Sequence, residues 1–281
     1  MSRPQAPVVD IRRFDGGGWA VADDSLAAEE PLQILLDGEP LTVVMRTPGN
    51  DVELAVGLLH AERVISGLAD VASVAISAEA GESEGSLHVD PSLFESNHVD
   101  VRLRRAAARA PQRSFTRSSA CGVCGATTIE ELTLDFPRPG PGPRVDAALL
   151  ASLPDRLRAG QELFERTGGL HAAGVFDAGG SLVVLREDAG RHNAVDKAAG
   201  RLLLDGALPA SDTLLAVSGR AGFEIVQKAV AGGIPVVAAV GAPSSLAVAT
   251  AREFGVTLAG FVRNGRFNVY SGADRVLGGG G

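Results

Sequence analysis

This 281-residue chain has two cysteines, two lysines and few aromatic residues. Aromatics make up only 4% of it, so a core has to be assembled from alanine, valine and leucine. Positive charge is carried almost wholly by arginine, with Lys197 and Lys228 the only lysines, a bias without functional meaning by itself. Basic excess is missing too: the net charge is -8, which speaks against general nucleic-acid binding, since that leaves a basic footprint. The opening Met1-Ser2-Arg3-Pro4-Gln5-Ala6-Pro7 holds no apolar run like that of a signal peptide. No stretch approaches the roughly 18–20 apolar residues of a membrane helix. The expected setting is therefore the cytoplasm, away from membranes, where thiols stay reduced. Cys121 and Cys124 stand three apart, and a disulfide between them would close a tiny loop for little gain. They are there for chemistry or for a metal.

Hydrophobic residues at 45% and charged residues at 21% fit a globular protein long enough for one large domain or two unequal ones. There is no internal repeat. Residues 32–36 and 41–45 read as two strands joined through Asp37-Gly38, a hairpin signal. Asn50-Asp51-Val52-Glu53 opens a helix with the look of a capping box, expected to run to Gly67. Further strands are expected at 71–76 and 87–103, completing a small α+β unit. Arg102, Arg104, Arg105, Arg109, Arg113 and Arg117 then crowd the approach to the cysteines, and a short helix is expected after Cys124. The proline-rich stretch 137–143 is a linker or loop. Beyond it the pattern alternates: helix 146–166, strands 171–176 and 182–187, helix Arg191–Leu204, strand 214–217, helix Phe223–Ala231, strand 236–240, helix 244–254, and strands 257–261 and Arg266–Ser271. Such alternation predicts an α/β fold with a mostly parallel sheet covered on both faces. Both termini are expected to fray.

Four constellations carry chemistry. In Ser119-Ala120-Cys121-Gly122-Val123-Cys124-Gly125, nearby arginines and a following helix would lower a thiol's pKa, and the glycines would let the sulfur swing. The pair alone suits sulfur transfer, a redox dithiol or a zinc site about equally. His60-Ala61-Glu62 with the cysteines superficially matches the zinc nucleobase deaminase signature. However, Ala120 replaces its proline, the separation is long, and His60 falls at a helix end. The run Arg186-Glu187-Asp188-Ala189-Gly190-Arg191-His192-Asn193-Ala194-Val195-Asp196-Lys197 sits at a strand-to-helix corner, where α/β folds bind ligands. A polar helix start with capping acids would explain Asp188 but not the whole cluster. Ser218-Gly219-Arg220 and Gly241-Ala242-Pro243-Ser244-Ser245 follow successive strands and would form one anion-binding rim, although either turn alone is commonly structural. Phe261-Val262-Arg263-Asn264-Gly265-Arg266 could grip phosphate or stack on a base, or be a hairpin turn with solvated arginines.

Together with Pro48-Gly49-Asn50-Asp51 and Thr167-Gly168-Gly169-Leu170-His171, and in this order along the chain, these segments resemble the formate dehydrogenase accessory sulfurtransferase (FdhD/NarQ) family. The resemblance implies a small N-terminal α+β domain over residues 1–112 and a cytidine-deaminase-like domain, a mixed sheet flanked by helices, over 113–281. It implies a sulfur carrier acting as a sulfurtransferase. Cys121 first and Cys124 second would take persulfide sulfur from a cysteine desulfurase. The sulfur would pass to a transiently bound molybdenum bis-molybdopterin guanine dinucleotide cofactor destined for formate dehydrogenase. Phe261, Val262, Arg263, Asn264, Gly265 and Arg266 would contact that cofactor, with Ser218, Gly219, Arg220, Asp188, Arg191 and His192 completing its site. No resident metal is implied, and a homodimer is expected. The alternatives are a zinc-dependent deaminase-like enzyme and a cofactor chaperone with no role for sulfur.

Overall fold

The computed structural model describes residues 5–77, 97–105 and 136–278. Residues 87–96 of the expected strand region 87–103, the short helix after Cys124 and the boundary at 112/113 lie outside the described residues. Strands β1 (Val8–Phe14) and β2 (Trp19–Ser25) form a separate antiparallel hairpin. Next come β3 (Glu30–Leu36), β4 (Glu39–Arg46), α1 (Asp51–Ala61), β5 (Val71–Ser77) and β6 (His98–Leu103), with a four-stranded sheet ordered β4-β3-β6-β5. Asp37 and Gly38, both at positive φ, make the tight β3–β4 turn. Leu32, Ile34 and Leu36 alternate onto the inner face and pack on Leu54, Leu58 and Leu59 of α1.

The second half comprises β7 (Val145–Asp146), α2 (Ala147–Ala159), α3 (Glu162–Thr167), β8 (His171–Asp177), β9 (Leu182–Asp188), α4 (Arg191–Leu204), β10 (Thr213–Val217), α5 (Phe223–Ala231), β11 (Val236–Ala239), α6 (Ser245–Phe254), β12 (Thr257–Arg263), β13 (Arg266–Ser271) and β14 (Val276–Leu277). Its six-stranded sheet is ordered β13-β12-β11-β10-β8-β9. Leu215 and Val217 turn to the layer of α4, α5 and α6, while Leu214 and Ala216 turn to α2, so every second residue serves a different core. The sheet is mixed and not mostly parallel: β10–β11 and β11–β12 are parallel pairs, whereas β8 runs antiparallel to β10 and to β9, and β13 to β12. β8 and β9 are joined by a tight turn, which forces antiparallel pairing.

Two helices depart from expectation. α1 ends at Ala61, well before Gly67, and Asn50 stands in the left-handed region without a side-chain cap. Its expected capping partner Glu53 instead forms a two-pronged ion pair with Arg186, at 2.5 and 2.8 Å. The stretch 146–166 is two helices, because the chain turns at Gly160 and Gln161.

The halves meet where α1 crosses α4. A Cβ on Gly57 would overlap the carbonyl oxygen of Asp196, and one on Gly200 would overlap that of Glu53. The two backbones thus touch through paired glycines. Beside the crossing, the Thr47 carbonyl accepts from Lys197 Nζ at 2.8 Å, and the Thr47 N–H donates to Asp188 at 3.1 Å. Asn193 donates to the Met45 carbonyl at 2.7 Å.

Candidate functional site

Mixed strand direction has one consequence for function. The carboxyl ends of β9, β10, β11 and β12 and the amino ends of β8 and β13 all reach the same edge of the sheet. His171, the corner 188–192, the turn 218–220, the turn 241–244 and the hairpin 261–266 are gathered there, as expected of a ligand-binding edge in an α/β fold. The turns are knitted together. Gly241 N–H donates to Gly219 O at 2.9 Å, and Phe261 N–H to Gly241 O at 3.1 Å. Ser218 extends the β8–β10 ladder, its N–H donating to Ala172 O at 3.0 Å and its Oγ accepting from Ala172 N–H at 2.9 Å. With its oxygen accepting, the Ser218 hydroxyl still has a proton to donate.

Two clefts open on this rim. The larger, about 630 Å³, is lined by His171, Ser218, Val262, Arg263 and Asn264, with Phe164 on the α2–α3 side. Val262 is fully buried and serves the core as well. The smaller, about 320 Å³, is lined by Arg191, His192, Arg220, Glu224 and Ser244. Three helices of ordinary length, α4, α5 and α6, begin around it and turn their N–H ends to it. His192 Nε2 lies 3.0 Å from a Glu224 carboxylate oxygen. A Cβ built on Gly219 would sit 3.4 Å from His171 Nδ1 and 3.7 Å from Arg191 Cδ, residues that line the larger and the smaller cleft.

The remaining expected site residues divide. Asn264 and Gly265, at φ 53° and 72°, form the two-residue turn of the β12–β13 hairpin, which puts Arg263 opposite Arg266, both exposed. Phe261 holds φ 54°, a costly conformation for an aromatic residue, at an irregularity in the β12–β13 pairing. The Arg263 guanidinium lies 5.9 Å from its ring centroid. Asp188 lies beneath the rim and not on it. Its fully buried carboxylate pairs with Lys197 at 2.7 Å and accepts from Thr47, Gly190 and Asn193 at 3.1, 2.8 and 3.0 Å. It holds the corner in place for Arg191 and His192. Cys121 and Cys124 lie outside the described residues. Among the described residues no group of three or more His, Cys, Asp or Glu is placed to hold a metal, and no helix is long and apolar enough to cross a membrane.

His171 closes the Thr167–His171 motif but was not among the expected site residues. Burial, and then the Arg191 charge, hold its pKa below the ordinary imidazole value, with the Asp188 charge opposing. The signal in the sequence was a histidine heading a strand just after a Gly-Gly pair.

Comparison with known proteins adds four findings. A model of the FdhD/NarQ family matches residues 27–277. A protein of Streptomyces coelicolor named sulfur carrier protein FdhD is 48% identical over 273 residues, covering 95% of this chain and 94% of that one. A Nocardia farcinica protein of the same name is 48% identical over 268 residues, covering 95% and 93%. A crystal structure described as a putative formate dehydrogenase accessory protein from Desulfotalea psychrophila superposes with a TM-score of 0.74 at 24% identity, over 98% of this chain and all of that one. At that identity the likeness is one of fold.

Proposed function

Because the chain belongs to the FdhD/NarQ family, we propose that it is a sulfur carrier for formate dehydrogenase maturation, using Cys121 and Cys124 to move persulfide sulfur. The observation that carries this reading is near-full-length similarity to proteins named as sulfur carriers, in a chain whose only cysteines are one C-x-x-C pair. In the loading step the Cys121 thiolate attacks the outer sulfur of a persulfide on a cysteine desulfurase. The donor's S–S bond breaks, the donor leaves as a thiolate, and the outer sulfur with its proton stays on Cys121. Cys124 is the second station of the relay.

The acceptor is molybdenum bis-molybdopterin guanine dinucleotide, bound transiently as substrate, its metal supplying the sulfur-accepting centre. The rim suits so anionic a ligand. Arg191, Arg220, Arg263 and Arg266 lie along it, and a ligand of that size would extend over both clefts. Ser218 and Asn264 offer hydrogen bonds, and Phe261 offers an exposed ring. The same reading places the protein in the cytoplasm as a homodimer and treats 113–281 as a cytidine-deaminase-like domain behind an N-terminal domain of 1–112.

Reconstitution of formate dehydrogenase with purified desulfurase and cofactor tests it. Cys121→Ala with Cys124→Ala should abolish activation while leaving the fold intact. Full activation by the double variant would reduce the protein to a cofactor chaperone and overturn the sulfur role.

A further inference from the structure

Strands β1 and β2 stand apart from both larger sheets. Among the described residues each pairs only with the other, so each keeps a free edge. A two-stranded ribbon is marginal alone, and a free edge is a template for another strand. The base of this arm is anchored: Ala6 and Ala28 are buried, and Gln5 Nε2 donates to the Pro48 carbonyl. Beyond the base, Val8, Asp10, Arg12 and Phe14 share one face, and all four are exposed. Val21 and Trp19 lie opposite Arg12 and Phe14 on that face, 81% and 66% exposed, and Trp19 is the chain's only tryptophan. The arm precedes residues 27–277, which the family model matches, so the shared core does not account for it.

The hydrogen bonds of the arm settle what its β1 edge offers. The Pro7 carbonyl accepts from Leu26 N–H and the Gln5 carbonyl from Ala28 N–H, and the register continues unbroken through β1. Odd-numbered residues of β1 therefore turn their backbone groups to β2, and Val8, Asp10, Arg12 and Phe14 turn theirs outward. An antiparallel second β1 has few registers open to it. A two-fold axis at Asp10 sets two carboxylates face to face, and one at Arg12 sets two guanidinium groups face to face, both unfavourable. An axis at Val9 or at Arg13 overlaps only three residues of each strand. An axis at Ile11 pairs Asp10 with Arg12 and Val8 with Phe14, each twice, and gives every residue of Val8–Phe14 a counterpart. Within the arm Asp10 stands opposite Asp23, a like-charge pair that an incoming Arg12 offsets. The β2 edge has no such symmetry: an axis at Ala22 sets Val21 against Asp23 and Trp19 against Ser25.

We propose that β1 of two copies pairs antiparallel about a two-fold axis at Ile11, joining their arms into one four-stranded sheet in the order β2-β1-β1-β2. The inference deepens the homodimer reading given above by assigning its interface, which uses the same patch on both copies. Phe14 of one copy lies beside Val8 of the partner subunit, and the flanking Trp19 and Val21 extend an apolar face that a lone arm leaves in water. A second copy is the occupant because the charges of this edge complement themselves.

Sedimentation of the full chain at micromolar concentrations tests the interface. Wild type should be dimeric. Arg12→Asp and Asp10→Arg, each alone, oppose like charges twice and should raise the dissociation constant of the dimer by about tenfold or more. Mixing these two variants should restore association, because each then meets its opposite, whereas a folding defect would survive mixing. With Cys121 and Cys124 replaced by alanine, Ile11→Cys should form a disulfide-linked dimer on mild oxidation. Val9→Cys should not, since its two copies would stand roughly 14 Å apart. A wild-type dimer indifferent to both reversals, mixed variants that fail to associate, or equal linking through Val9→Cys would overturn this interface while leaving a homodimer through another face. A monomeric wild type would overturn the interface and the homodimer reading together, with sulfur carriage still standing.

Discussion

Lys197 and Lys228 are the chain's only lysines, and both are buried against aspartates, Lys197 with Asp188 at 2.7 Å and Lys228 with Asp196 at 2.6 Å. A buried ammonium tolerates this only with its partner and further acceptors in place, and Lys197 also bonds the Thr47 carbonyl. Lys197→Met should therefore cost about 3–5 kcal/mol in urea denaturation, because it strands the Asp188 charge. Pairing it with Asp188→Asn should recover part of the loss; an additive penalty would mean that the two groups act separately. At this scale composition flagged the lysines as scarce but could not show that both are interior. Asp188 likewise reads as a site acid from its neighbours in sequence. Its role is set by Thr47, well over a hundred residues away. Polar residues at a functional corner look alike in sequence whether they face the ligand or hold up those that do.

The elements divide by whether their ends are punctuated locally. The bounds of α4 and α5 were legible, each entered after a glycine and left at a short polar or glycine turn. The hairpin β1–β2 was not, since it mixes charges with exposed apolar residues such as Val8, Phe14, Trp19 and Val21 and has no clean alternation. The capping-box pattern at Asn50 misled because Glu53 has a stronger partner in Arg186, an ion pair no local pattern encodes. The α1–α4 crossing yields a further prediction. Gly200→Ala would drive a methyl group into the Glu53 carbonyl, and overpacking of this kind costs about 1–3 kcal/mol or more. The Tm should fall accordingly. An unchanged Tm would mean that the helices separate at no cost, against the close approach described.

For the molecule as a whole, the α/β class and the rim-forming turns were legible. The turns after β10 and β11 were expected to share a rim and do, but the place of His171 among them was not legible, because it depends on β8 running antiparallel to β10 and β9. The pH response also belongs to this scale. His60, through burial, and His171, through burial and Arg191, have pKa values held below the ordinary imidazole value near 6.5. In the window between the depressed values and about 6.5 the unfolded chain binds more protons, so stability rises with pH there. The Tm should drop as pH falls through that window, and His60→Gln should flatten the slope. A Tm that rises on acidification would contradict the assignment.

Sulfur carriage is the central claim, and persulfide mapping tests it most directly. The protein and each single-cysteine variant would be incubated with a cysteine desulfurase and cysteine, then digested and weighed by mass spectrometry. The account predicts one added sulfur on the loop peptide of wild type, retained in Cys124→Ala and lost or greatly reduced in Cys121→Ala. Absence of added sulfur on both cysteines of the wild-type protein, under conditions that load a known persulfide acceptor, would contradict it.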